Sequence, residues 1–167
     1  LSGLAEAHEK GIVHKDLKPS NLFLKRARTD KERLVVLDFG IASVTDDAVM
    51  EEIGLYRNTT NAASPRPLTT RGSFVGTCEY IAPEYAEEQK ISPAVDVYQM
   101  GLILVEALSG KVVVDAQGWG MRAVIKHLDG NLDIPTAWRE DASLGPVILR
   151  ATARQPEERY ADAGAFY

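Results

Sequence analysis

Residues Ala94 to Ser109 form a run that is apolar on nearly every side of a helical projection, with Val95, Val97, Tyr98, Met100, Leu102, Ile103, Leu104, Val105, Ala107 and Leu108. A helix without a polar face has no place on a surface, so other elements must wrap it. Ser92-Pro93 provides an N-cap and a proline at the first helical position, and Gly110 provides the stop. The apolar core of the run, Met100 to Leu108, is short and contains Glu106, whereas a bilayer span needs roughly 18 apolar residues or more. The chain is therefore expected to fold around one central helix. Its 167 residues are enough for one domain, which would bury roughly two-thirds of its unfolded surface.

The remaining pattern surrounds that axis. Leu1, Leu4, Ala5 and His8 recur at helical spacing, with Gly11 placed as a C-terminal glycine. Leu22-Phe23-Leu24 and Leu34-Val35-Val36-Leu37 read as short strands, separated by the charged stretch Lys25 to Arg33. Further helices are expected near 118–128 and 144–153, and Tyr160 to Tyr167 looks like a helix cut off partway. Both ends of the chain look truncated. Thr45 to Gly72 is poor in apolar residues and reads as a long loop. The net charge of −5 disfavours non-specific nucleic-acid binding. Cys78 is the only cysteine, which excludes an internal disulfide and favours a reducing compartment.

His14-Lys15-Asp16-Leu17-Lys18-Pro19-Ser20-Asn21, followed by Asp38-Phe39-Gly40, sets two carboxylates, an ammonium and an amide in fixed order around the strand pair. Phosphoryl transfer from a magnesium nucleotide to a hydroxyl needs positioning, charge neutralisation and a proton acceptor, with little covalent participation. Asp16 is the candidate acceptor, and Lys18 can reach the transferring phosphate as a point charge. Asn21 offers an amide oxygen and Asp38 a carboxylate, hard ligands that suit Mg²⁺. Gly40 gives the backbone freedom to present Asp38. His8 and His127 read as ordinary helix residues, and Cys78 as a bland small residue rather than a redox switch.

With Gly76-Thr77-Cys78-Glu79-Tyr80-Ile81-Ala82-Pro83-Glu84 and Asp96-Val97-Tyr98-Gln99-Met100-Gly101, these motifs resemble the C-terminal lobe of a eukaryotic-type (Hanks-type) serine/threonine protein kinase. The four blocks fall in the family's order along essentially the whole chain, and Asp38 to Ala42 is worded as in bacterial members. The resemblance implies an α+β fold over 1–167, mainly α-helical, in which a small β-ribbon set carries the catalytic loop and the Asp-Phe-Gly. It implies transfer of the ATP γ-phosphate to Ser/Thr hydroxyls of protein substrates, with ATP and Mg²⁺ as cofactors. Asp16 would be the catalytic base and Lys18 the phosphate contact, with Asn21 and Asp38 as the magnesium ligands. Phe23 would lie beneath the adenine ring. Thr77 would link Asp16 to Lys18 and line the acceptor site. His14 and Phe39 would stack, Asp96 would hold the catalytic-loop backbone, and Glu84 would pair with Arg159. The Gly76–Glu84 segment would dock the peptide acceptor.

The departures from the family carry information too. Lys15 stands where the family has arginine, keeping the charge without the bidentate fork. Residues 46–72 read as a mobile insertion, with Thr59, Thr60, Thr69, Thr70 and Ser73 as candidate phosphorylation sites. Ser20 replaces an acid found in many kinases that prefer basic substrates. Gly118-Trp119-Gly120 and Lys126 mimic a glycine-rich loop and its strand lysine, but in the wrong order. The glycine-rich loop, strand lysine and helix glutamate that hold ATP phosphates in active kinases are absent from these residues, so this stretch alone is expected to bind nucleotide poorly and to expose apolar surface around Phe23 and Phe39. The expected setting is cytoplasmic for the kinase domain, with membrane anchoring of a longer parent left open. A non-catalytic pseudokinase or interaction scaffold, and a small-molecule kinase, are the competing readings.

Overall fold

The computed structural model describes residues 2–26, 32–39 and 78–167. The proposed insertion at 46–72, its candidate phosphorylation sites and Thr77 lie outside them.

Helix α1 (Ser2–Glu9) ends at Gly11, whose φ of 73° is the left-handed turn that a glycine tolerates without strain. An extended stretch then leads to a 3₁₀ turn at Pro19–Asn21 and into β1 (Leu22–Arg26), which pairs antiparallel with β2 (Glu32–Val36). The register sets Leu22 opposite Val36, Phe23 opposite Val35 and Leu24 opposite Leu34. Alternation sends Leu22 and Val36 onto the core, and Phe23 and Val35 to the opposite face.

The rest is helical: α2 (Pro83–Glu88), α3 (Pro93–Ser109), α4 (Gly120–Leu128), α5 (Thr136–Arg139), α6 (Leu144–Ala151) and α7 (Ala163–Phe166). The axis anticipated from sequence is α3. It is buried continuously from Ala94 to Ile103, and Val95, Val97, Leu102 and Val105 have no exposed surface. Each such side chain contributes roughly 1.5–3 kcal/mol relative to an exposed one. Pro93 begins the helix and Gly110, with φ of 68°, ends it by donating its N–H to Glu106 O at 2.7 Å. Ser92 takes the expected cap position, but its hydroxyl makes no capping bond.

Around the axis, α6 packs on α3 and α5 packs on α6, while α7 closes against α1 and α4 lies beside α2. The stretch that mimics a glycine-rich loop is the start of α4, with Ala123, Val124 and His127 buried. The helix expected at the C-terminal end is the single turn α7, capped by the Asp162 carboxylate accepting from Ala165 N. No helix among the described residues is long and apolar enough to cross a membrane.

Candidate active site

Asp96 and Gln99 are polar residues one turn apart on the otherwise apolar α3, and between them they hold the loop that carries Asp16. Asp96 Oδ2 accepts the His14 N–H at 2.8 Å, and Oδ1 accepts the Lys15 N–H at 2.8 Å. Gln99 Oε1 accepts the Leu17 N–H at 2.9 Å, and its Nε2 donates to Lys15 O at 2.8 Å. These bonds hold Lys15 at φ of 70°, a conformation that costs a non-glycine residue about 1 kcal/mol or more.

A third donor to Asp96 comes from α1. His8 Nε2 lies 2.9 Å from Asp96 Oδ2, while His8 Nδ1 accepts the Ala163 N–H at 3.1 Å. The second bond makes Nδ1 the acceptor and therefore puts the proton on Nε2, facing the carboxylate. One imidazole thus links the anchor of the Asp16 loop to the start of α7. Sequence reading treated His8 as an ordinary helix residue. The available signal was its position one turn from Leu4, on the buried face of α1.

The candidate chemical groups follow from this frame. Lys18 Nζ lies 2.8 Å from Asp16 Oδ2, with both side chains about three-quarters buried. Asn21, at the end of the 3₁₀ turn, donates Nδ2 to Asp16 O at 2.7 Å and to Asp16 Oδ2 at 3.3 Å. Those bonds turn the amide oxygen away from Asp16, leaving it as the atom that can face a cation. Leu37 N donates to Asn21 O at 2.8 Å, so the ribbon delivers Asp38 one residue beyond the Asn21 partner. Asp38 is exposed and has φ of 57°.

His14 joins the loop to that end of the ribbon. Its Nδ1 accepts the Asp16 N–H at 3.3 Å and its Nε2 donates to Leu37 O at 2.8 Å. Its ring meets Phe39 edge-on, with centroids 5.0 Å apart. The structure therefore gathers Asp16, Lys18 and Asn21, and Asp38 follows directly on Leu37, whose N–H bonds to Asn21 O. Phe23 lies on the outer face of the ribbon, 56% exposed, with Phe39 at 37%. Thr77, the remaining predicted site residue, is outside the described residues.

Glu84 accepts Arg159 Nη1 and Nη2 at 2.8 Å each, in a buried bidentate pair. Among the described residues, no three His, Cys, Asp or Glu side chains are gathered as a metal cage.

A family model for the protein kinase domain matches residues 1–160. The chain belongs to the protein kinase domain family. The relatives it is similar to include bacterial serine/threonine-protein kinases. The serine/threonine-protein kinase pkn3 of Myxococcus xanthus is 34% identical over 171 residues, a match that takes in 99% of this chain and 28% of that protein. Pkn1 of the same organism is 35% identical over 164 residues, covering 98% of this chain and 21% of the relative. PknH of Mycobacterium tuberculosis is 33% identical over 165 residues, covering 98% and 23%. The chain thus spans less than a third of each of these kinases.

Proposed function

We propose that this kinase-family chain is the C-terminal lobe of a serine/threonine protein kinase that moves the ATP γ-phosphate to hydroxyls of protein substrates. The observation that carries this reading is the Asp16–Lys18–Asn21 cluster, with its 2.8 Å ion pair and the Asn21 amide turned by two bonds to Asp16. Asp16 is assigned as the proton acceptor. Lys18 holds one carboxylate oxygen, Oδ2, which leaves Oδ1 as the atom we assign to the incoming Ser or Thr hydroxyl. As the hydroxyl oxygen bonds to the γ-phosphorus, the bond to the β–γ bridging oxygen breaks, ADP departs, and the proton passes to Asp16. The Lys18 ammonium, paired with Asp16, is assigned to share its charge with a phosphate oxygen.

The donor set fits a hard cation. Asn21 would supply an amide oxygen and Asp38 a carboxylate, hard oxygen ligands of the kind Mg²⁺ prefers. Bound there, the ion would neutralise charge on the phosphates. Phe23, on the outer ribbon face, is assigned to the underside of the adenine ring, and Thr77 to the acceptor side of Asp16.

These residues contain no glycine-rich loop followed by a strand lysine, so catalysis is assigned to the longer protein and not to this stretch alone. The test is Asp16→Asn in the full-length protein. A loss of about 10²–10⁴-fold in peptide phosphorylation is expected, with an unchanged circular-dichroism spectrum and melting temperature. Normal turnover by this variant would overturn the assignment. Phosphorylation of aminoglycosides or choline, with none of peptides, would replace the protein substrate with a small molecule.

A further inference from the structure

The segment Cys78–Glu84 is tied to the helical body at both ends by different elements. At its start, the Glu79 carbonyl accepts His127 Nε2–H at 3.1 Å, and the Glu79 carboxylate accepts the Ala116 N–H at 3.2 Å. Helix α4 also approaches closely at its first residue, where a β-carbon on Gly120 would stand 3.0 Å from Cys78 Sγ. At its far end, Glu84 is gripped by the Arg159 guanidinium.

One side chain touches both tethers. Tyr98, buried on α3, donates its hydroxyl to His127 Nδ1 at 2.8 Å, and the Arg159 guanidinium lies over its ring at 4.5 Å from the centroid. Both nitrogens of His127 are thereby committed, one accepting and one donating, in a side chain with no exposed surface. A leucine there would fill the space between α3 and α4 without burying polar atoms. The imidazole adds a rigid connector with donor and acceptor on different sides of a planar ring. It fixes how far the Glu79 carbonyl stands from α3, and Tyr98 sets the same distance for the Arg159–Glu84 end.

We infer that Tyr98 and His127 are positioning residues, holding the Cys78–Glu84 segment at the spacing at which it receives the peptide acceptor. The inference rests on the kinase reading above and adds to it a determinant of peptide affinity that lies outside the phosphoryl-transfer cluster. Neither residue touches a reacting atom, so the effect belongs in the KM for peptide.

The experiment compares Tyr98→Phe, His127→Leu and His127→Gln in the full-length protein. Phenylalanine keeps the ring under Arg159 and removes only the hydroxyl. Leucine removes both bonds of the imidazole, whereas glutamine can replace both, its amide N–H donating and its oxygen accepting. Tyr98→Phe and His127→Leu are expected to raise the peptide KM about fivefold, with kcat at saturating peptide and the KM for ATP moving less than about twofold. His127→Gln is expected to return the peptide KM close to its original value. Lower melting temperatures with an unchanged peptide KM, or glutamine behaving as leucine does, would overturn the inference. Amide hydrogen exchange over 78–85 in the same proteins reads the positioning without any activity. His127→Leu is expected to speed exchange there and His127→Gln is not. If the unsubstituted protein phosphorylates no peptide, the kinase reading fails on its own and exchange decides the positioning, with equal rates in the two variants counting against it.

Discussion

Asp96 carries a carboxylate into a site with no exposed surface, where its two oxygens receive the His14, Lys15 and His8 donors. Acceptor-only chemistry is what the site demands. In Asp96→Asn, the amide oxygen can serve either Lys15 or the His14–His8 pair, and the NH₂ group then faces a donor on the other side. A destabilisation of about 2–3 kcal/mol is expected from the unmet buried donors, read as a lower urea midpoint; a change within 0.5 kcal/mol, the range of a neutral surface substitution, would show that the carboxylate is not the anchor. That Asp16, Lys18 and Asn21 lie together could be anticipated, because phosphoryl transfer restricts both residue type and order; their chemical roles, and that of Asp38, are the proposal made above. The anchors were less so. His8, Gln99 and His127 acquire roles only from what burial sets against them, and a histidine in isolation carries no sign of which ring nitrogen will donate. The sequence did hold a partial clue in Asp96 and Gln99, two polar residues at i and i+3 within an apolar helix.

At the scale of elements, the long helix and the strand pair were readable to within a residue or two, because apolar periodicity and terminal Pro and Gly act locally. The single-turn helices α5 and α7 are too short to show a period, and tertiary contacts define them. Glycine makes the contrast testable. A β-carbon on Gly145, in α6, would stand 2.5 Å from the Arg139 backbone oxygen at the end of α5, where neither partner is a flexible side chain. Gly145→Ala is expected to cost about 1–3 kcal/mol as the two helices are forced apart. Gly3, inside α1, has nothing within 4 Å of the same position, so Gly3→Ala is expected to stabilise by about 0.5 kcal/mol through helix propensity. Chemical denaturation of both variants checks the pair, and a stabilised Gly145→Ala would contradict the close approach of α5 and α6.

Across the whole molecule, the core is a set of helices threaded by α3, and two polar links tie it to its surroundings: the buried Tyr98–His127 bond to α4 and the part-buried Tyr80–Glu106 bond to the Cys78–Glu84 segment. Burial pushes both tyrosine hydroxyls well above their usual range, so they stay protonated at any working pH. Among the described residues, His127 is a buried group that couples stability to acid. Desolvation holds it down to about 4, against 6.5 in an open chain. Above pH 6.5 the ring is neutral both folded and unfolded, and no proton is exchanged. Between 6.5 and 4 the unfolded chain binds a proton that the folded one refuses, so stability falls with falling pH, by about 3 kcal/mol over the window. Glu79 acts in the opposite sense, since burial raises its carboxyl and the folded state takes up its proton more readily as the pH falls. It is part-buried, so solvent screens it in part and it blunts the lower end of that slope. Replacing His127 by Gln keeps the two bonds and removes the titration. Urea midpoints measured from pH 7.5 to 4.5 should therefore fall less steeply for His127→Gln than for the unsubstituted chain, the two curves converging in slope above pH 6.5. Parallel curves throughout would mean that the imidazole between Tyr98 and Glu79 does not link protons to folding.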